Sequence, residues 1–386
     1  MMTTELKQII QSKFTELFNT SCQLFEAPGR INLIGEHTDY NEGFVLPAAI
    51  DKSIIFGVQK NHLNSFRFYS IDYDEYQEFN STELLKDAKL WSKYLLGVLA
   101  QFQKEDITLQ GFDCVFGGNI PLGAGLSSSA ALECGFAFAI NKLSGFHFSS
   151  FDLVKMAQKA EHEYAGVMCG IMDQYASIFG KKEQLIQLDC QTNTHEYFPL
   201  KMDHHILALV DTKVKHSLAS SEYNNRKNEC TEGVTYFQQF DKNIHSLRAV
   251  SIDMIENHIN QPNATSYKRC KYVVEENDRV NKTTQALLQE NYDEVGALMY
   301  QSHEGLQKLY EVSCPELDYL VELTREMPKV LGARMMGGGF GGCTLNLIEK
   351  GFSQDFEKDI KEKYKAQFQI DADVYFVKIS EGTRDI

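Results

Sequence analysis

The chain has 386 residues, 43% of them hydrophobic and 24% charged, enough for two ordinary domains with substantial cores. No stretch approaches the ~18 apolar residues of a membrane span, and Met1 to Ile10 has neither the apolar run nor the small-residue cleavage site of a secretion signal. The net charge of −15 opposes binding to nucleic acid or anionic lipid in the absence of a strong basic patch.

In chain order, Leu6, Ile9, Ile10, Phe14, Leu17 and Phe18 recur at helical spacing and predict an amphipathic helix docked on the core. Residues 22–60 are β-rich. A helix is expected over Leu90 to Gln103, then a strand at Phe112 to Phe116. A glycine-rich loop, Gly117 to Ser128, leads into a nearly uncharged helix over Ser129 to Leu143, whose apolar character all round implies burial. Another helix is expected from Phe151 to Tyr164, with Ser149, Ser150 or Asp152 as its cap.

Ile206 to Val210 predicts a strand, taken as opening the second domain, and residues 217–326 are mostly helical in pattern. Within them the short basic cluster Lys268, Arg269, Lys271, followed by Glu275 and Glu276, is expected on a solvated helix face. The end of the chain predicts strand (Cys343 to Ile348), helix (Phe352 to Phe368) and strand (Ala372 to Ile379). Strands and helices do not alternate regularly, so the fold class is α+β, divided as 1–200 and 201–386. Nine cysteines occur, an odd number with no CxxC pair. That pattern suggests neither a disulfide framework nor a zinc site and points to a reducing, cytoplasmic setting.

Three segments carry chemistry. Pro121 to Glu133 is a glycine-rich loop running into a buried helix, whose first-turn N–H groups and dipole favour an anion. Gly123 and Gly125 allow close approach of a phosphate, and Ser127, Ser128 and Ser129 add hydroxyls. A plain serine-capped helix has the same pattern. There is no G-x-x-x-x-G-K-[ST]. Gly337, Gly339 and Gly342 fit G-x-G-x-x-G, but a strand is expected behind them where the dinucleotide fingerprint requires a helix. Ala27 to Asn41 crowds Arg30, Asn32, Glu36, His37, Asp39 and Asn41 between apolar strands, suited to a polyhydroxylated ligand, a metal, or only a hydrophilic turn. Glu161 to Gln174 places Asp173 in an apolar stretch, where an aspartate needs a partner or a task. Arg30 is a suitable partner, for catalysis or for a structural ion pair.

Together these segments resemble the GHMP kinases. Pro121 to Ala130 is similar to that family's phosphate loop, Cys169 to Gln174 and Met336 to Gly342 to its other shared segments, and Gly29 to Asn41 to the motif of its galactose-phosphorylating branch. The resemblance implies an ATP-dependent sugar kinase that phosphorylates the C1 hydroxyl of galactose. A kinase for N-acetylgalactosamine or arabinose, or a non-catalytic galactose and ATP sensor, remains as an alternative, although Ser129-Ala130 favours an enzyme. The resemblance also implies an N-terminal domain like the second domain of ribosomal protein S5 and a ferredoxin-like C-terminal domain, with the site in the cleft between them. By position, Asp173 would be the catalytic base and Arg30 its partner. Glu36, His37, Asp39, Gly170 and Tyr223 would hold the sugar, and Gly123, Gly125, Ser127 and Ser128 the ATP phosphates. Ser129 and Glu161 would bind Mg2+, and Trp91 would line the adenine pocket or belong to the core. The implied partners are galactose and MgATP, with no nucleic acid or membrane, and the expected state is a monomer.

Overall fold

The computed structural model describes residues 3–80, 88–105, 107–121, 123–215, 219–258 and 264–386. The predicted N-terminal helix is α1 (Thr3–Phe18), with Leu6, Ile10 and Phe14 buried against Ile55, Tyr69 and Val115. The β-rich region supplies β1 (Gln23–Asn32), the short β2 (Phe44–Val45) and the long β3 (Pro47–Lys60). A hairpin that the sequence pattern did not disclose, β4 (Phe66–Ser70) and β5 (Glu75–Phe79), follows, then α2 (Leu90–Lys104) and β6 (Phe112–Gly118). The buried helix is α3 (Ser128–Ser144). Helix α4 (Ser150–Ala160) is capped by Ser149, whose hydroxyl accepts from the Asp152 N–H while Asp152 accepts from the Ser149 N–H. It runs into a π-helical turn, Glu161–Ala165, rather than continuing as α-helix to Tyr164. The short α5 (Met172–Phe179) and the hairpin β7 (Gln184–Asp189) and β8 (Thr194–Pro199) complete the first 200 residues.

The second half opens on β9 (His205–Lys215), followed by α6 (Ala219–Phe237), α7 (Ile252–Asn257), α8 (Ala264–Leu288), α9 (Tyr292–Gly305) and α10 (Pro315–Arg325). The helical pattern expected from 217 therefore holds from 219, positions 217 and 218 lying outside the described residues. The chain ends with β10 (Val330–Met335), β11 (Gly341–Glu349), α11 (Ser353–Phe368), β12 (Asp373–Val377) and β13 (Arg384–Asp385).

Among the described residues three sheets form. The first has the order β13-β1-β3-β6-β4-β5, the second β10-β11-β9-β12 and the third β2-β7-β8. Apart from the parallel β4–β6 pair, the strand pairings are antiparallel. That is the α+β arrangement expected, not a doubly wound one. The largest buried cluster reaches from Phe25 to Ile379 and includes Leu207, Val280, Leu345 and Val377, so one core joins both halves.

The expectation of a solvated face at 268–276 holds for Lys268 and Lys271, whose side chains are 44% and 37% exposed, and fails for Arg269 and Glu276. Arg269 is buried; its Nε donates to Glu229 at 2.7 Å and its Nη2 to Glu311 at 2.8 Å. Glu276 is buried as well, accepting from Arg279 Nε at 2.6 Å and Ser302 Oγ at 2.6 Å. Charge in a sequence run shows solvation only where no partner is folded against it, and here two other helical segments bring those partners.

Candidate active site

Two glycine-rich turns meet at a cleft of about 340 Å³, with the Gly125 and Gly337 backbones side by side. The first precedes α3. Gly123 and Gly125 have φ of +78° and +71°, which permits the tight turn, and Ser127 at the helix N-cap also takes a left-handed φ of 57°. No side chain caps α3, which leaves its first-turn N–H groups for a ligand or water. The second turn joins β10 to β11, a strand as expected, and its Gly337 and Gly338 line the same cleft.

Arg30, at the end of β1, reaches Asp173, the second residue of α5. Its Nε donates to Asp173 Oδ1 at 2.8 Å and its Nη2 to Oδ2 at 2.9 Å, while Nη1 donates to the Gly125 carbonyl at 2.6 Å. Burial works against the Arg30 charge, yet the adjacent Asp173 carboxylate holds its pKa above the ordinary value. Asp173 is not sealed in the core as its apolar neighbours suggested; its side chain is 27% exposed and opens into the cleft. Ser127 Oγ donates to the same carboxylate.

Ser129 and Glu161 lie on the phosphate-loop side, with Ser129 Oγ donating to Glu161 Oε1 at 3.0 Å. The π-turn carries Glu161 inward, where it also accepts from Gln174 Nε2 at 2.7 Å and from the Cys169 thiol at 3.3 Å. Burial, with the Asp173 charge second, raises the Glu161 pKa. Glu133, one helical turn beyond Ser129 on α3, is wholly buried, and burial followed by the charge of Glu161 pushes its pKa well up. These oxygen donors fit Mg2+, because a cation would relieve both carboxylates. Among the described residues no cluster of three or more His, Cys, Asp or Glu could hold a metal alone. That suits an ion that takes one or two protein oxygens and completes its shell with phosphates and water.

Glu36, His37 and Asp39 come from the loop after β1, and Tyr223 from α6. Gly170 faces Asp39 so closely that a Cβ there would overlap the Asp39 carboxylate. Burial, then repulsion from Asp173, pushes the Asp39 pKa up to about 7, and burial lowers that of His37 to about 3. Glu36 Oε1 lies 3.1 Å from Arg334 Nη2 and accepts from the Gly337 N–H at 2.9 Å. Thus the cleft gathers Arg30, Glu36, His37, Asp39, Gly123, Gly125, Ser127, Ser128, Ser129, Glu161, Gly170, Asp173 and Tyr223. Trp91 is not among its lining residues. That indole is buried in the first sheet's core on Phe116, with Nε1 donating to Glu75 at 2.9 Å.

Sequence reasoning missed Arg334, fully buried in β10, whose Nη1 donates to the Asn32 carbonyl at 2.7 Å. It also missed Glu276, which accepts from the Gly35 N–H at 2.9 Å, and Glu133 with Gln174 behind the phosphate end. The available signal was a single charge inside an apolar strand (Arg334) or an apolar helix (Glu133).

Comparisons with known proteins agree with this geometry. Residues 93–181 match the model for the GHMP kinases N-terminal domain and residues 283–366 that for the GHMP kinases C-terminal domain. Residues 12–60 match the galactokinase galactose-binding signature. A crystal structure of Lactococcus lactis galactokinase complexed with galactose superposes with a TM-score of 0.95 at 32% identity, covering 98% of this chain and all of that one. Mevalonate kinase of Methanococcus jannaschii, at 18% identity and a TM-score of 0.66, shares the fold. The architecture is therefore the GHMP kinase fold. Galactokinase of Thermotoga maritima is 42% identical over 361 residues, 94% of this chain and 99% of that protein, and galactokinase of Bacillus subtilis is 38% identical over all of this chain and 99% of that one. This chain belongs to the galactokinase family of the GHMP kinases.

Proposed function

We propose that this protein transfers the γ-phosphate of ATP to the C1 hydroxyl of α-D-galactose, giving galactose 1-phosphate and ADP. The observation that carries the reading is the bidentate Arg30–Asp173 pair, standing between the polar loop of Glu36, His37 and Asp39 and the open N-terminus of α3. Phosphoryl transfer asks a protein mainly for positioning and charge neutralisation. The α3 N–H groups with Gly123, Gly125, Ser127 and Ser128 cradle the phosphates. Glu36, His37, Asp39, Tyr223 and the space beside Gly170 hold the sugar with its anomeric hydroxyl toward Asp173. Asp173 accepts the hydroxyl proton as the new bond forms, and Arg30 orients that carboxylate through its bidentate contact and offers positive charge to the transferring group. Mg2+, held by Ser129 Oγ and Glu161, would supply further neutralisation of the phosphate charge.

We divide the chain into working halves at about residue 200. This division is supported by the cleft walls, which take Arg30 and Asp173 from one half and Tyr223 and Gly338 from the other. A monomer in the cytoplasm without nucleic-acid or membrane partners is the accompanying proposal. The net charge of −15 supports the lack of nucleic-acid and anionic-membrane partners, and nine cysteines that are free in the structure support the cytoplasmic setting. Among the described residues no helix is long and apolar enough to cross a membrane.

The test is a coupled ADP-release assay across galactose, N-acetylgalactosamine, arabinose, glucose, mevalonate and homoserine. Galactose should be preferred over glucose, its C4 epimer, by orders of magnitude, since a site built to bond a hydroxyl rejects an isomer that leaves its groups unpaired. Comparable specificity constants for the two would refute the sugar site. Galactose binding without ADP release would make the protein a sensor.

A further inference from the structure

Behind His37 lies a chain of buried hydroxyls that the phosphoryl-transfer reading does not use. His37 Nδ1 is 2.8 Å from Tyr40 Oη, Tyr40 Oη is 2.7 Å from Tyr310 Oη, and Tyr310 Oη is 3.2 Å from Cys230 Sγ. Asn41 Nδ2 donates to that sulfur at 3.6 Å. Tyr310 is fully buried and Cys230 nearly so, so water does not complete the network for them. At its other end His37 Nε2 is buried without a hydrogen-bond partner, in a residue that lines the cleft. A buried polar atom without a partner in a ligand site is a natural place for a ligand group.

Each hydroxyl in such a chain gives one proton, so the chain can run in only one of two directions. In one, Cys230 S–H donates to Tyr310, Tyr310 to Tyr40 and Tyr40 to His37 Nδ1, leaving the imidazole proton on Nε2. In the other, His37 Nδ1–H donates to Tyr40, Tyr40 to Tyr310 and Tyr310 to the sulfur, leaving Nε2 bare. Two features favour the first. A phenol donating to an imidazole nitrogen makes a far better bond than a phenol donating to a thiol sulfur, a weak acceptor. The sulfur is already an acceptor from Asn41 Nδ2, which leaves its own proton as the one to give to Tyr310.

We propose that Tyr40, Tyr310 and Cys230 form a one-way hydrogen-bond relay that fixes His37 in the tautomer with its proton on Nε2, so that His37 donates to a hydroxyl oxygen of the bound sugar. The sugar-binding part rests on the galactose reading; the tautomer does not. Tyr40, Tyr310 and Cys230 are positioning residues, acting through His37. The relay also ties sugar recognition to α6 and to the turn at Tyr310, both remote in sequence from the loop they serve.

The test uses the full chain labelled with ¹⁵N-histidine. A long-range proton–nitrogen correlation distinguishes a protonated from a bare ring nitrogen, and the His37 signal among eleven histidines is identified by its loss in His37→Gln. The sugar-free protein should show a protonated Nε2 and a bare Nδ1. Tyr40→Phe should mix the tautomers and raise the galactose KM by about tenfold, the scale of one lost buried hydrogen bond, with the ATP KM unchanged. Tyr310→Phe, which leaves the hydroxyl on His37 in place, should act in the same direction by about threefold, and carries the test if Tyr40→Phe does not fold. A wild-type protein protonated on Nδ1 overturns the proposal, as does a Tyr40→Phe protein with unchanged tautomer and galactose KM. If galactose is not a substrate, the functional reading falls while the tautomer measurement still decides the relay.

Discussion

At one end of the cleft Arg30, Gly125, Ser127 and Asp173 hold one another, all within the first 180 residues. The opposite end is held from across the molecule. Arg334 and the Gly337 N–H bind Glu36, the Tyr272 hydroxyl donates to the Glu36 carbonyl at 3.0 Å, Glu276 accepts from Gly35, and Asn277 Oδ1 accepts from the Phe44 N–H at 2.8 Å. The Arg30–Asp173 end is thus a product of one half, whereas the loop bearing Glu36, His37 and Asp39 has its shape imposed by α8 and β10. Two ligands can therefore be disturbed separately in a protein with a shared core.

The largest effect should come from the first end. Asp173→Asn keeps size and shape but removes both the charge and the basicity of the proposed base, and turnover should fall by roughly a hundredfold or more while galactose still binds. Arg30→Lys should also be harmful, because an ammonium cannot reproduce the bidentate contact, and the two changes should combine less than additively. Turnover and galactose affinity on variants shown by circular dichroism to be folded decide the point. A folded Asp173→Asn protein with near wild-type turnover removes the base from the mechanism.

Next, Gly170→Ala sets a methyl group against the Asp39 carboxylate. Galactose KM should rise by about tenfold or more with ATP KM intact. Equal changes in both constants would break the separation of the two ends. Ser129→Ala should do the reverse, raising the MgATP KM by about fivefold, one hydrogen bond's worth, with calorimetric galactose affinity preserved. Lost galactose affinity with normal ATP kinetics would refute that assignment.

The smallest effect is a proton count. Asp39, with its pKa raised to about 7, holds a proton in the free protein below that pH. Sugar hydroxyls donate better to the ionised carboxylate, so galactose binding at pH 6 should release a fraction of a proton, falling toward zero well above pH 7. Calorimetry in two buffers of different ionisation enthalpy reads this directly, and proton uptake at pH 6 would contradict it. For stability the sign is opposite to that of a salt-bridged carboxylate. The contribution of Asp39 is fully present below its unfolded pKa and is lost as pH rises through about 7. Asp39→Asn should flatten that part of the stability profile.

Much of this was legible in the sequence because the signals were local. The glycine-rich run into an uncharged helix disclosed the anion end, and an aspartate among apolar residues with one arginine to spare disclosed the Arg30–Asp173 pair. The pattern behind Gly337 correctly excluded a dinucleotide turn, since β11 follows it. What stayed hidden depends on partners far away in the chain. Arg269 and Glu276 read as a solvated run because Glu229, Glu311 and Ser302 are not sequence neighbours, and Arg334 meets Glu36 across nearly 300 positions. The hairpins β4–β5 and β7–β8 escaped because their strands are only five or six residues long, too short for the alternation to stand out.

The packing of Trp91 gives the protein a built-in optical reporter. It is the only tryptophan, and its indole lies against Phe116 and beneath Glu75 in the first sheet's core. Emission excited at the red edge of the absorption band comes from that one place. In a denaturant titration it follows the opening of the first sheet, while far-ultraviolet circular dichroism follows the helices of both halves. Coincident curves mean that the core running from Phe25 to Ile379 comes apart as a single unit. Emission that changes when nucleotide is added to the folded protein reports that binding in the cleft is felt where the indole packs on Phe116.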